Sequence, residues 1–258
     1  MNSGEAAMRE PAELRVIPVL GLPEFSVGMR VGEQIAAHTE LLDGDVVACS
    51  QKIVSKAEGR IRRLSSAIPG SEARRLAALL GKEPALIELI LAESREVLRA
   101  ERGVLITETH HGFVCANAGV DSSNLPEAET VSLLPEDPDA SARRIRAEVR
   151  DATGKTVAVV VSDSFGRAWR LGQAEVAIGC AGIEPLDDWR GRHDSGGREL
   201  EATLIAIADQ VAAAADLVRD KASGVPAAIV RGLERFTSED DGPGATALRR
   251  PRDEDLFR

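Results

Sequence analysis

Tyrosine is absent from this 258-residue chain, and aromatic residues of all kinds make up 3% of it. So few rings exclude an extended stacking platform for bases and make Phe165, Trp169 and Trp189 conspicuous. Positive charge is also in deficit, with 32 Lys+Arg against 42 Asp+Glu and a net charge of −10. General nucleic-acid binding needs a cationic footprint that this balance does not supply. A local basic pocket for a phosphorylated ligand remains compatible with it. No run of about 18 apolar residues occurs, so no membrane-crossing helix is expected. The N-terminal stretch carries charges where an export signal needs apolar residues, and a cytoplasmic location is expected. The three cysteines, Cys49, Cys115 and Cys180, are odd in number and widely spaced. They form neither a disulfide framework nor a zinc pattern, and read as small buried thiols in a reducing compartment. There is no GxxxxGK[ST] phosphate loop, no GxGxxG after a strand and no GxSxG elbow, which excludes Walker-type, Rossmann and hydrolase-elbow chemistry.

What is present is an ordinary globular mixture, 43% hydrophobic and 29% charged, long enough for a sizeable core. Residues 14–25 read as a strand entering a Gly/Pro turn, and 31–42 as a short helix. The stretch VVACSQKIVSK (46–56) reads as a strand with a basic exit. Residues 74–99 have helical spacing with a break near Gly81 and Pro84. Residues 104–108 and 112–119 read as paired strands around His110 and His111. A helix over 141–154 ends at Gly154. TVAVVVSDS (156–164) is the clearest buried strand. Residues 198–224 step apolar positions by four and three, predicting one long helix, and 226–233 is a final strand. Residues 1–13 and 236–258 are expected to be flexible termini around one domain over 14–235. Strands and helices mix without a regular βαβ rhythm, which predicts an α+β fold.

Two acidic turns can carry chemistry. Asp121 follows a small-residue turn in ANAGVDSSN (116–124), and Asp163 lies just past a buried strand in VVVSDSFGRAWRLGQ (159–173). Carboxylates at strand ends suit hard cations such as Mg²⁺ or Mn²⁺. Two of them close together require a cation or a raised pKa. Each Asp is equally compatible with simple capping of its own turn. Lys52 and Lys56 leave the strand at 46–56, and Arg167 and Arg170 follow Asp163 within seven residues; these cations can neutralise phosphate or carboxylate oxygens, or serve only as solvated surface charge. His110, His111 and His193 are candidate ligands or bases, or merely turn residues.

The segments GLPEF (21–25), DGDVVACSQKIVSKAEGRI (43–61), GFVCANAGVDSSN (112–124), LLPEDPDASARRIR (133–146), SDSFGRAWRLGQAEVAIGCAGI (162–183) and the AD…AAAADLV…VPAAIVRGL run (208–233) resemble the coenzyme F-420-0:L-glutamate ligase family. The similarity includes the N-terminal domain of the actinobacterial two-domain form and covers about residues 14–235. It implies an α+β mixed-sheet fold unlike other amide ligases, in an intertwined homodimer. It implies GTP-dependent addition of L-glutamate to F-420-0 and extension of a γ-linked tail, with Mg²⁺ or Mn²⁺ and K⁺. The implied metal residues are Asp121, Asp163 and Ser164. The implied GTP contacts are Leu22, Pro23, Glu24, Phe25, Gln51, Lys56 and Asn124. Lys56 with Arg167 or Arg170 would offset charge on the transferred phosphoryl group. Gln51 stands where Ser is common in the actinobacterial form. Arg219-Asp220-Lys221 stands where archaeal relatives carry the Met-Gly-Glu/Gln that helps hold a second metal; Lys221 cannot bind a cation, and Asp220 is the candidate to replace that ligand. The flavin-binding C-terminal domain of the two-domain form is absent from this sequence. Two rival readings remain at this level: a non-catalytic deazaflavin- or nucleotide-binding subunit, and a ligase for another acid acceptor.

Overall fold

Valine- and alanine-rich runs that alternate between two apolar environments build the centre of the molecule. The computed structural model describes residues 13–123, 125, 127–220 and 222–256. In chain order these form β1 (Arg15–Pro18), α1 (Val31–His38), β2 (Val46–Ser50), α2 (Gln51–Ala57) and β3 (Ile61–Arg63). Next come α3 (Ser71–Leu80), α4 (Pro84–Ala92), β4 (Ser94–Glu101), β5 (Val104–Thr109), β6 (Val114–Ala116) and β7 (Thr130–Ser132). The chain continues through α5 (Pro138–Thr153), β8 (Ala158–Arg167), β9 (Arg170–Ala181), β10 (Leu186–Asp188), β11 (Leu204–Ala206), α6 (Ile207–Asp216) and β12 (Ala227–Arg231).

A five-stranded sheet runs in the order β1-β12-β2-β8-β9. Only β2 and β8 pair in parallel; the other pairings in it are antiparallel. The fold is therefore mixed α and β on a mixed sheet, in line with the α+β expectation. Successive side chains of a strand face opposite sides, and the core divides accordingly. Val47, Cys49, Val159, Val161 and Ile229 pack with Val31 and Ile35 of α1 and Ala142, Ile145 and Val149 of α5. Val46, Ala48, Val160, Ala228 and Val230 pack on the other side against Ile207, Ala208, Val211 and Ala215 of α6. A separate apolar cluster joins α3, α4 and β5 around Leu76, Ile87, Ile90 and Leu105.

Several sequence expectations change. The strand expected over 46–56 stops at Ser50, whose hydroxyl accepts from the Lys52 amide, and 51–57 is helical. The helix expected to reach Arg99 ends at Ala92, and Ser94–Glu101 pairs with β5 instead. Of the long helix expected over 198–224, only Ile207–Asp216 is helical. The sequence reading has no strand over 170–181, yet β9 is the longest strand of the sheet.

The C-terminal segment from 236 to 249, expected from sequence to be flexible, packs back on the core. Phe236 and Ala245 are buried among the residues over α6. Asp139, in the first turn of α5, accepts from the amides of Cys180 and Ala245 at 2.9 and 2.7 Å and from the Thr246 hydroxyl at 3.0 Å. Arg146 of α5 donates to Asp241 and to the carbonyls of Ser238 and Glu239. Buried partners explain why a charged, Gly-bearing stretch is held. Asp139→Ala should cost about 2 kcal/mol, the order expected for orphaned buried amides. It should also make the 240–249 segment cleavable in limited proteolysis while the rest of the chain resists. Residues 1–12, part of the other expected flexible terminus, lie outside the described residues.

Candidate functional site

The parallel pair β2 and β8 ends at one side of the sheet, with Ser50 in register with Ser162. Side chains just beyond the carboxyl ends of parallel strands face a natural crevice. Here it opens into a cavity of about 1030 Å³. Leu22 to Phe25 form one wall, Lys52 and Lys56 of α2 another, and Asp121, Asp163, Ser164 and Glu175 line it as well.

The segment before Asp121 is wound tightly. Asn117, Ala118 and Gly119 all have positive φ, of 54°, 54° and 71°. A side chain on Gly119 would collide with Leu134, so glycine is required there. This turn delivers Asp121 to an isolated bridge with Ser132. The Asp121 carboxylate accepts from the Ser123 amide at 2.7 Å and hydroxyl at 2.9 Å, and pairs with Lys52 Nζ at 2.7 Å. Turn capping and cavity lining therefore coexist at this residue. Burial pushes the Asp121 carboxyl up, but Lys52 and the Ser123 groups together outweigh it and hold the carboxyl below its ordinary value.

Asp163 sits in the opposite electrostatic situation. It is on β8, and among the described residues no ion pair to it is formed. Burial first, and the neighbouring Glu175 charge second, push its carboxyl up to about 7. Glu175 lies opposite Ser164 on β9. Its carboxylate accepts from Ser164 and Ser162, both at 2.5 Å, and from Arg219 at 3.1 Å. Lys56 is buried and donates to Glu24 Oε1 at 2.5 Å.

The structure thus brings Leu22, Pro23, Glu24, Phe25, Lys56, Asp121, Asp163 and Ser164 into one cavity. Three residues of the sequence reading sit elsewhere. Gln51 is fully buried, its carbonyl accepts from Ser55 and its amide nitrogen has no partner among the described residues. Arg167 and Arg170 flank the two-residue turn of the β8–β9 hairpin and do not line the cavity. Arg167 instead donates to the carbonyls of Leu171 and Gly172. A hairpin whose second strand is unread cannot be placed from sequence. Asn124 and Lys221 lie outside the described residues. Asp220 lines the cavity, and Lys52, Glu175 and Arg219 join it. A strand as buried as 156–164 requires a neighbour, which is the available signal for Glu175.

His110 and His111 hold loops, and His193 does not line the cavity. His110 Nε2 lies 2.9 Å from the Ala92 carbonyl, and His111 Nε2 donates to the carbonyls of Pro135 and Glu136. Burial lowers the His111 pKa. A base whose folded pKa is depressed stabilises the fold above its unfolded value, and that stability is lost as pH falls below about 6.5. His111→Asn should therefore flatten the decline in thermal midpoint between pH 7 and pH 5, measured by a pH series of melts.

Among the described residues no three His, Cys, Asp or Glu side chains converge into a ready-made cage. A pair of aspartates still fits Mg²⁺ or Mn²⁺, because such ions are commonly held by one or two carboxylates plus substrate phosphates and water. The placement of Asp163 in the same cavity as Asp121, with no ion-paired cation among the described residues, is the observation that favours this fit. No helix among the described residues is long and apolar enough to cross a membrane.

A mixed sheet whose parallel-strand ends present carboxylates and lysines to one large cavity has the architecture of an α/β ligand-binding enzyme site. Comparison with known proteins fixes the family. The family described as "F420-0:Gamma-glutamyl ligase" matches residues 22–232. The chain is 43% identical to the coenzyme F420:L-glutamate ligase of Methanothermobacter thermautotrophicus, over 95% of this chain and 99% of that protein. It is 40% identical to the protein of that name from Methanocaldococcus jannaschii, over 95% and 98%. It is 42% identical to the one from Haloarcula marismortui, over 95% and 96%. The chain belongs to the F420-0:gamma-glutamyl ligase family and is an enzyme of the ligase class.

Proposed function

We propose that this ligase works in coenzyme F-420 biosynthesis by joining L-glutamate to the terminal carboxylate of F-420-0 and then extending a γ-linked tail, converting GTP to GDP and phosphate. The observation that carries the reading is the meeting of Asp121 and Asp163, 42 residues apart in the chain, in one cavity with Lys52 and Lys56. A cavity of about 1030 Å³ is at the upper end of ordinary ligand sites and has room for a nucleotide beside an acceptor.

A carboxylate is a poor electrophile, so the acceptor carboxylate takes the γ-phosphoryl group and becomes an acyl phosphate. The glutamate amine then displaces phosphate to form the amide. Phosphoryl transfer is governed by positioning and charge neutralisation. Asp121, Asp163 and the Ser164 oxygen would hold Mg²⁺ or Mn²⁺, which would supply neutralisation of phosphate charge. Lys52, which pairs with Asp121, would neutralise phosphate oxygens at the cavity wall. Lys56 leaves Glu24 for the transferred group, while Leu22, Pro23 and Phe25 exclude water from one side. Potassium assists as a monovalent counter-ion, and the enzyme acts in the cytoplasm. The exposed apolar tip of the β8–β9 hairpin, with Trp169 and Leu171 in solvent, supports a homodimer in which that hairpin is covered by the second copy.

Incubation with F-420-0, glutamate, GTP and Mn²⁺, read by mass spectrometry, should show glutamyl units added and GDP formed, with ATP ineffective. Unchanged F-420-0 with intact GTP would refute the proposal.

A further inference from the structure

The carboxylates of the cavity fall into two kinds. Asp163 has no ion-paired cation among the described residues, whereas Glu175 has one built in. Glu175 and Arg219 are both buried, and Arg219 Nη2 lies 3.1 Å from Glu175 Oε2 and 3.1 Å from Ser162 Oγ. Arg219 is fixed in turn near the Pro226 carbonyl, at 3.5 Å from Nη1, just ahead of β12. Both Glu175 oxygens are committed. Oε1 takes the proton of Ser164, and Oε2 takes that of Ser162 together with the Arg219 bond.

The faces of the hairpin sharpen the contrast. Side chains alternate along β8, so Ser162 and Ser164 share the side bearing Glu175, while Asp163 projects to the other. Glu175 therefore meets Asp163 through its charge and meets Ser164 through a hydrogen bond. A serine that donates its proton to a fixed carboxylate presents its oxygen lone pairs to whatever lies beyond. A carboxylate already paired with a guanidinium gains less from a divalent ion, and one stripped of that guanidinium is left as an uncompensated buried charge that a cation or a proton must offset.

Resting on the proposed use of a divalent cation, we propose that Arg219 and Glu175 form a positioning pair: Glu175 orients the Ser164 hydroxyl beside Asp163, and Arg219 keeps Glu175 out of metal coordination by supplying a fixed positive charge. The cation of the reaction is then held by Asp163 with the oriented Ser164 oxygen, both of which line the cavity, and Glu175 with its guanidinium stays outside the coordination.

The test compares Mn²⁺ uptake in the presence of GTP, followed by electron paramagnetic resonance, with steady-state kinetics for Glu175→Gln, Arg219→Gln, Arg219→Lys and the Glu175→Gln/Arg219→Gln double variant. Glu175→Gln should bind as many Mn²⁺ ions as the wild type, with kcat down at least tenfold and the KM for GTP changed less than threefold. Arg219→Gln should bind Mn²⁺ at least tenfold more tightly or take up one additional ion. The double variant should return to wild-type uptake with kcat still low, and Arg219→Lys should recover part of kcat at wild-type uptake. A purely structural pair would lower the folded fraction and leave kcat per folded molecule unchanged. Should Arg219→Gln not fold, Glu175→Gln decides alone. Loss of an ion in Glu175→Gln would make Glu175 a metal ligand and overturn the proposal, as would wild-type kcat in that variant. A wild type that takes up no Mn²⁺ would instead refute the metal reading on which the pair depends, and the two failures are separable by that arm.

Discussion

Asp163→Asn lowers the rate of glutamate addition by about 10³-fold or more and raises the thermal midpoint of the metal-free protein. Removing a single preorganised electrostatic group from a water-poor site typically costs about 10²–10³-fold in rate, and Asp163 also serves as a proposed metal ligand. The stability change has the opposite sign for a definite reason. Burial, then the Glu175 charge, pushes the Asp163 carboxyl from 3.8 up to about 7. The folded protein therefore holds this proton to higher pH than the unfolded chain does. Stability falls as pH rises between these two values, and the cost is complete above about 7. Asparagine carries no charge and escapes it. In chelator, the melting difference between variant and wild type should be small near pH 4 and grow to several degrees by pH 7.5. Saturating Mn²⁺ should shrink the difference by stabilising the wild type alone. A variant with near-normal turnover at saturating Mn²⁺ would remove the metal role from Asp163.

Gly179→Ala should be strongly destabilising. Gly179 of β9 faces Val161 of β8 across the hairpin. A methyl group there would collide with the Pro138 backbone at the start of α5. Neither wall can yield easily, because Pro138 begins the helix whose Asp139 caps the Cys180 amide. Overpacking of this kind costs about 3 kcal/mol, or roughly 6–12 °C in a chain of this size. The consequence reaches the site, since Glu175 lies four residues along the same strand. Residual folded enzyme should show weakened turnover as well as a lowered midpoint. A variant melting within about 2 °C of the wild type, a shift worth less than roughly 1 kcal/mol at this chain length, would show that β9 and α5 separate more readily than their contact implies.

The central strands are readable because runs such as VVAC and AVVVS place β-branched side chains on both faces, a pattern suited to a covered sheet. The change at Ser50 is harder to read, because the polar Ser50-Gln51-Lys52 that caps and opens α2 is followed at once by apolar Ile53 and Val54. In 94–99, apolar spacing compatible with a helix is overridden by pairing with β5, a long-range partner that spacing cannot reveal. The leucine and isoleucine steps of 198–224 conceal a strand pairing with β10 and leave only ten residues to α6. At the site, Asp121, Asp163 and the Leu22–Phe25 wall are legible as motif residues. Arg167 and Arg170 are misplaced by sequence reading because the register of β9 decides which side chains return to the cavity. Glu175 and Arg219 gain meaning only together, and nothing local in QAEVA or LVRDK announces a pair 44 residues apart.

Two distant aspartates acting as one cation site beside a nucleotide are the core of the proposed chemistry. Titration of Mn²⁺ into protein saturated with GTP, on the wild type, Asp121→Asn and Asp163→Asn, tests that directly. The predicted result is a loss of at least tenfold in Mn²⁺ affinity in either variant, with GTP still bound. Wild-type Mn²⁺ affinity in Asp121→Asn would contradict it.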